Sequence, residues 1–256
     1  MIRAAFFDID GTLLSFNTHK VSPGTVRAFH AMHRQGILTF IASGRPMVLI
    51  PDMPVSFSGY VTMNGGYCFA GDTVLLKLPI PQPETDRWLG YAQREGLCTM
   101  IFTDHEMFVN TLTNPVANAI RDQLEFTMPP VMDTSLMKGR ETYQIIAVMP
   151  ASCDDEVLQM LPHCRLPRWH PQFSDLVNAA NSKAAGIESI LRHFGLKREE
   201  CIAFGDGGND IEMLDYCGIG VAMGNASDEV KQHADFVTTP VDDEGIEHAL
   251  TSLAII

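Results

Sequence analysis

Two aspartates one residue apart carry the clearest chemical signal in the sequence. Asp8 and Asp10 follow a short apolar run, and Gly11 after them permits a tight turn. The apolar run predicts a buried strand, which would place both carboxylates at the edge where open α/β sheets bind ligands. Two negative charges this close repel each other, and Mg²⁺, which prefers oxygen ligands, would neutralise them. The alternative for this motif alone is a turn with two solvated aspartates.

Two motifs could bind an anion. Ser43-Gly44-Arg45 follows a second predicted strand, and its hydroxyl and backbone N–H groups could bind a phosphate. Taken alone, an ordinary serine–glycine turn is the simpler interpretation. Lys183 follows the predicted helix N-cap Ser182, where its charge opposes the helix dipole. A bound anion would relieve that conflict, and a lysine that points into solvent is the alternative.

A fourth motif, residues 205–210, follows another apolar strand. It contains Asp206, Asn209 and Asp210 within five residues, separated by glycines. Three acidic or amide side chains at a strand end favour a metal site over a plain turn.

The elements that position these motifs alternate between strand and helix. Ser22 is the predicted cap of a helix that ends at Gly36. Further strands are predicted at 37–42, 60–63, 202–204, 219–222 and 236–237, with a hairpin through residue 78. The alternation on both sides of a central interruption indicates one parallel sheet built from both ends of the chain.

The interruption begins with a proline-rich linker at residues 79–83. Beyond it the pattern predicts helices near 85–95 and 115–126, strands near 97–103, 107–112, 142–149 and 173–177, and a short helix between the last two strands. We therefore predict an α/β protein with a Rossmann-like parallel-sheet core, residues 1–80 and 182–256, and an inserted α+β domain, residues 81–181.

Composition excludes several classes of function. The 256 residues carry a net charge of −13, which disfavours nucleic acid as a partner. The six cysteines form no Cys-x-x-Cys pair, so neither a zinc-thiolate site nor a redox motif is expected. Cys164 could touch a metal with His163 and His170, but the spacing fits no standard site and favours packing. Without a signal peptide or a membrane-spanning run, a cytoplasmic protein with no membrane partner is expected.

The four motifs, in this order, resemble those of the haloacid dehalogenase-like hydrolase superfamily. The start Asp8-Ile9-Asp10-Gly11-Thr12 resembles its phosphatase branches, and the insertion between the second and third motifs looks like a type-two cap domain. Residues 203–214 and 220–226 are similar to the Cof-type sugar-phosphatase subfamily. The resemblance covers the whole predicted core.

The resemblance implies a role for each motif residue. Asp8 would be the nucleophile and form an aspartyl-phosphate, while Asp10 would act as general acid and base. Mg²⁺ would be held by Asp8, the backbone carbonyl of Asp10, and Asp206. Asp210 would orient the groups around the metal, and Arg45 would contact substrate. Phosphate would be bound by Ile9, Ser43, Gly44, Lys183 and Asn209.

The function implied is a magnesium-dependent phosphatase of small phosphorylated metabolites, with sugar phosphates as the first candidates. The cap domain would close over the site and select the substrate. A phosphomutase that uses the same aspartate pair is one alternative, and a regulatory binder with an inactive site is another. The sequence gives no indication of the oligomeric state.

Overall fold

The computed structural model describes residues 1–124, 128–137, 139–168 and 170–256. It divides into two compact units. The core unit comprises Met1–Arg45, Ile50–Lys77 and Ser182–Ile256, and the inserted unit comprises Pro46–Leu49 and Leu78–Asn181. No helix in these residue ranges is both long and apolar enough to cross a membrane.

The strands fall into three groups along the chain. Before the insertion lie β1 (Ala4–Phe7), β2 (Leu38–Ala42), β3 (Gly59–Thr62), β4 (Tyr67–Ala70) and β5 (Thr73–Lys77). The inserted unit contains β6 (Cys98–Phe102), β7 (Met107–Val109), β8 (Gln144–Val148), β9 (Cys164–Arg165) and β10 (Ser174–Asn178). After it come β11 (Cys201–Gly205), β12 (Ile219–Ala222) and β13 (Phe236–Val237).

The α-helices lie between some of these strands and after the last one. They are α1 (Pro23–Arg34), α2 (Gln82–Glu95), α3 (Pro115–Leu124), α4 (Asp154–Met160), α5 (Lys183–Phe194), α6 (Ile211–Tyr216), α7 (Asp228–Gln232) and α8 (Gly245–Ser252). Ser22 caps α1 as predicted, because its side chain accepts a hydrogen bond from the backbone N–H of Thr25. The last residue predicted for the third of these helices, Phe126, lies outside the described residues.

The core unit contains one eight-stranded sheet in the order β13-β12-β11-β1-β2-β3-β4-β5. The strands from β13 to β3 are parallel, and β4 and β5 extend the sheet as antiparallel hairpins. Strand β1 lies between β2 and β11, with Phe7 opposite Ile41 on one side and Phe204 on the other. This arrangement confirms the predicted α/β fold, and it places the ends of three motif-bearing strands side by side.

Apolar clusters cover both faces of this sheet, because alternate strand residues point to opposite sides. On one face Phe7 stacks on Phe204 at 5.0 Å between ring centroids and contacts Phe29 of α1 at 4.8 Å. On the other face Phe6 stacks on Phe40 at 4.8 Å. Strand β1 is completely buried as a result, so the loop that follows it starts from a fixed position.

The inserted unit contains a five-stranded antiparallel sheet in the order β7-β6-β8-β10-β9. Buried Trp88 of α2 donates from Nε1 to Thr99 Oγ1 at 3.0 Å, which satisfies its polar atom inside this core. Helix α2 begins at Gln82 rather than near residue 85, because Pro83 is tolerated in a first helical turn.

The histidine and cysteine residues considered for metal binding make other contacts. Cys164 donates to Glu84 Oε2 at 3.0 Å, and His163 Nδ1 lies 2.6 Å from Glu84 Oε1. The ring of His170 stacks on Phe173 at 4.5 Å. His163 and Cys164 thus share Glu84 as a partner, whereas His170 contacts Phe173, and the packing interpretation stays a prediction.

Candidate active site

A buried ion pair lies at the carboxyl end of β1. The backbone N–H of Asp8 continues the sheet by donating to Phe204 O at 3.0 Å. Its side chain is only 9% exposed, and Oδ1 accepts a 2.7 Å hydrogen bond from Lys183 Nζ. Lys183 is the first residue of α5, where Ser182 caps the helix through the backbone N–H of Ala185. The side chain of Lys183 is fully buried, so the solvent-facing alternative for this lysine is wrong.

Asp210 holds the other side of Lys183. Its Oδ1 accepts from Lys183 Nζ at 2.5 Å, and the side chain is completely buried. Its Oδ2 accepts from the backbone N–H groups of Asp206 and Gly207 at 2.9 and 2.8 Å. Asp210 therefore joins the lysine to the loop after β11 and fixes the backbone of Asp206.

Two side chains that sequence reasoning did not single out hold the Asp206 carboxylate. Thr12 Oγ1 donates to Asp206 Oδ1 at 2.9 Å, and Asn225 Nδ2 donates to Oδ2 at 3.2 Å. Gly11 is required beside them, because it has φ of +79° and a Cβ there would lie 2.2 Å from Asp206 Oδ2. Thr12 and Asn225 lie in the motif strings already quoted, but their contact with Asp206 depends on the fold.

Carboxylate oxygens of Asp8, Asp206 and Asp210 all lie within 4.8 Å of one another. An all-oxygen, acidic ligand set suits a hard divalent cation such as Mg²⁺. Asp210 already accepts three hydrogen bonds, whereas Asp8 Oδ1 accepts one from Lys183 and Asp206 accepts two. Asp8 and Asp206 are therefore the better-placed side-chain ligands. The backbone carbonyl of Asp10 stays a prediction.

Burial dominates the electrostatics of this cluster. It raises the pKa of Asp8 to about 8; Lys183 opposes the shift, and the neighbouring carboxylates of Asp210 and Asp206 add to it. Burial likewise raises the pKa of Asp206 to about 6, against the hydrogen bond from Thr12. Burial alone would lower the pKa of Lys183, but the carboxylates of Asp210 and Asp8 outweigh it and raise that pKa. Three carboxylates around one ammonium leave excess negative charge that a cation would offset.

Asp10 occupies a different environment from Asp8. Its side chain is 40% exposed and pairs with Arg45, whose side chain is 35% exposed. Arg45 donates from Nε to Asp10 Oδ2 at 2.8 Å and from Nη2 to Oδ1 at 2.7 Å. These two hydrogen bonds orient the Asp10 carboxylate. Because the Asp10 side chain is partly exposed, the carboxylate can exchange Arg45 for another hydrogen-bond partner.

Apart from Lys183, the residues predicted to bind phosphate follow the ends of β1, β2 and β11. Buried Ser43 accepts from the backbone N–H of Arg45 at 3.1 Å, and Gly44 lies between them. The Ile9 carbonyl accepts from the backbone of the turn that follows, with Leu14 N at 2.8 Å. Asn209 Nδ2 donates to Asn64 Oδ1 at 3.0 Å. Fold and sequence together thus bring carboxylates, a buried cation and neutral donors to one edge of the sheet.

A family model of haloacid dehalogenase-like hydrolases matches residues 5–250. The chain belongs to this family. The resemblance inferred from the four motifs is therefore confirmed. The four motifs are spread along the sequence of this haloacid dehalogenase-like hydrolase, and the fold brings them together around Asp8.

Several relatives of this haloacid dehalogenase-like hydrolase bear phosphatase names. A Bacillus subtilis protein named "Putative phosphatase YkrA" is 33% identical over 99% of this chain and 98% of its own length. The subclass IIB sugar phosphatase BT4131 is 39% identical, with a TM-score of 0.89 over 99% of this chain and 100% of its own. BT1666 from Bacteroides thetaiotaomicron is 36% identical, with a TM-score of 0.91 over 100% of this chain and 96% of its own. Together with the family match, these likenesses identify the chain as a phosphatase.

Proposed function

We propose that this enzyme hydrolyses phosphate monoesters of small metabolites through an aspartyl-phosphate formed on Asp8, with Mg²⁺ as cofactor. The buried contact between Asp8 and Lys183 carries the proposal. Lys183 holds Asp8 Oδ1 at 2.7 Å, and in the described part of the chain Oδ2 has no hydrogen-bond partner. A carboxylate fixed through one oxygen presents the other for attack on phosphorus.

The chain's own groups supply each step of this reaction. Asp8 Oδ2 forms a bond to phosphorus while the bond from phosphorus to the departing alcohol oxygen breaks, and Asp10 protonates that oxygen. Asp10 then removes a proton from a water molecule that attacks the aspartyl-phosphate, which releases inorganic phosphate and restores Asp8. Lys183 and the donors around Ser43 and Gly44 would stabilise charge on the phosphoryl oxygens. A Mg²⁺ ion bound by Asp8 and Asp206 would neutralise further charge on the phosphoryl group.

Sugar phosphates are the substrates to test first. The sugar phosphatase BT4131 is 39% identical over nearly the whole chain, and the net charge of −13 disfavours a polyanionic substrate. We infer that the inserted unit, as a type-two cap domain, selects the metabolite, and that the enzyme acts in the cytoplasm.

The test is a panel of phosphorylated metabolites assayed for free phosphate, with MgCl₂ and after exhaustive chelation. We expect turnover that requires Mg²⁺, because the clustered carboxylates repel a phosphate dianion without a cation. Undiminished phosphate release after chelation would contradict the metal assignment. A phosphomutase would instead form an isomeric sugar phosphate without free phosphate. A regulatory binder would bind phosphorylated ligands and leave them intact.

A further inference from the structure

A strained turn lies beside the predicted phosphate site. Met63, Asn64 and Gly65 have φ values of +50°, +53° and +90° in succession, and all three are buried. The left-handed region is costly for residues with a side chain, and such strain persists only where the surrounding structure holds it. Two consecutive non-glycine residues in this region therefore call for an explanation from their contacts.

The turn contacts two predicted phosphate-binding segments. The backbone N–H of Met63 donates to Arg45 O at 3.1 Å, and that of Asn64 donates to Ser43 O at 3.0 Å. On the other side Gly65 packs so closely against the N-cap of α5 that a Cβ would lie 2.0 Å from Ser182 O. The strained backbone thus fits between the segment after β2 and the helix that begins at Lys183.

The side chain of Asn64 completes this arrangement. Only 6% of Asn64 is exposed, and its Oδ1 accepts from Asn209 Nδ2 at 3.0 Å. That bond fixes the plane of the Asn64 amide, so that Nδ2 points away from Asn209. Nδ2 lies against Gly44, since a Cβ built on Gly44 would be 3.1 Å from it. Within the described residues Nδ2 has no hydrogen-bond acceptor, and the atom itself is not fully shielded from solvent. It is therefore accessible to the oxygen of a ligand.

We propose that Asn64 is a further phosphate-binding residue, whose Nδ2 donates a hydrogen bond to an oxygen of the phosphoryl group held at Ser43-Gly44. This inference rests on the proposed phosphatase function. Asn64 would supply a neutral donor that complements the charge of Lys183. The strained turn would hold this donor in position. Asn209 would then act partly through Asn64, by holding its amide in the donating orientation.

Two variants test the donor, with inorganic phosphate as the probe. Asn64→Asp keeps the shape and the acceptor for Asn209 but removes the Nδ2 donor. Asn64→Gly removes the amide and relieves the positive φ. We expect both to weaken phosphate binding about 10- to 100-fold, by calorimetry and by product inhibition in MgCl₂, as for loss of a charge-assisted hydrogen bond. His19→Gly is the matched control, because exposed His19 also has a positive φ (+52°), and it should bind phosphate as wild type does.

The readouts separate binding from folding and from the larger proposal. A donor role leaves the melting temperature of Asn64→Gly equal to or above that of wild type, while phosphate affinity falls. If Asn64→Gly binds phosphate as tightly as wild type, the role of Asn64 is overturned and the proposed function is not affected. If the glycine variant does not fold, the same result in Asn64→Asp leads to the same conclusion. A wild-type enzyme that neither binds phosphate nor releases it from any ester would instead overturn the proposed function.

Discussion

Asp8 and Asp10 are separated by one residue, yet their surroundings are opposite. Asp8 is buried and bonded to Lys183, whose side chain has no exposure to solvent. Asp10 is 40% exposed and is paired with Arg45, which is also partly exposed. Strand β1 ends at Phe7 and a turn begins at Ile9, so two nearby positions of one motif reach different dielectric environments.

This difference suits the two roles proposed. A nucleophile benefits from a fixed position, because small displacements from in-line geometry cost rate. A general acid and base must first give and then take a proton, and so must exchange partners during the reaction. The buried pair fixes Asp8, whereas the accessible pair leaves Asp10 able to move between Arg45 and substrate. The following predictions test that division.

Replacing Asp8, the proposed nucleophile, should have the largest effect. We expect Asp8→Asn to lower kcat by at least about 10⁴-fold, because the amide is not nucleophilic and no other group replaces it. The fold should persist, since one of three carboxylates around Lys183 is removed and Asp210 still bonds the lysine. Phosphate release and circular dichroism check both points. A folded variant with a substantial fraction of wild-type kcat would mean that another residue is the nucleophile.

Replacing the accessible aspartate should affect substrates unequally. Asp10→Asn should slow phosphorylation of Asp8 by about 10²–10⁴-fold with a sugar phosphate, whose alkoxide needs a proton to depart. With nitrophenyl phosphate the loss should be small, because nitrophenolate is a stable anion. The aspartyl-phosphate should also accumulate, since water is no longer activated. Rapid-quench kinetics measures both effects, and equal losses on the two substrates without accumulation would remove Asp10 from this role.

The two ion pairs should differ in their contribution to stability. Lys183→Met leaves Asp8 and Asp210 buried without their cation, which should lower the free energy of unfolding by about 3–5 kcal/mol. Arg45→Met leaves the carboxylate of Asp10 in contact with water and should cost less than about 1 kcal/mol. Urea unfolding at pH 8 without metal compares the two directly. Similar losses in both variants would show that burial does not distinguish these pairs.

The smallest effect concerns pH. The raised pKa values of Asp8, about 8, and Asp206, about 6, mean that the folded protein binds these protons more tightly than the unfolded chain. The stabilising contribution of these two protons is complete below about pH 4. The contribution at Asp206 is lost as the pH rises through about 6, and the contribution at Asp8 as it rises through about 8. The melting temperature of metal-free protein, relative to that of Asp206→Asn, should therefore fall between about pH 4 and 6, because this variant lacks only the titration of Asp206. Saturating Mg²⁺ should suppress this slope, and an unchanged slope would argue against metal binding at these carboxylates.

Local patterns sufficed for most of the core fold. The predicted strands at 219–222 and 236–237 match β12 and β13 residue for residue, because turn signals bound short apolar runs there. Strand β9 was missed, because Cys164-Arg165 includes a charged residue and forms no apolar run. Helices α6, α7 and α8 are five to eight residues long, too short for an apolar stripe to establish them from sequence.

The chemistry of the site was predictable only in part. Motif spacing identified the acidic residues and Lys183, but the partners of that lysine come from segments 175 and 27 residues away. The helix-dipole argument, taken alone, predicts that removing Lys183 leaves stability unchanged or slightly higher. The buried bonds to Asp8 and Asp210 reverse that expectation. The contacts of Asn225 and Asn64 likewise depend on the pairing of distant loops, which no local pattern encodes.

The position of β1 in the sheet also constrains how the protein is made. Strand β1 pairs with β11, whose residues 201–205 leave the ribosome long after β1 and β2. At about 5–20 residues per second, the roughly 160 intervening residues take about 10–30 s to synthesise. During that interval the edge of β1 that pairs with β11 lacks its partner, while nearly all of the inserted unit, Leu78–Asn181, emerges as one continuous segment. Asp8, the proposed nucleophile at the end of β1, therefore reaches its final setting late, when the last third of the chain closes the sheet beside it.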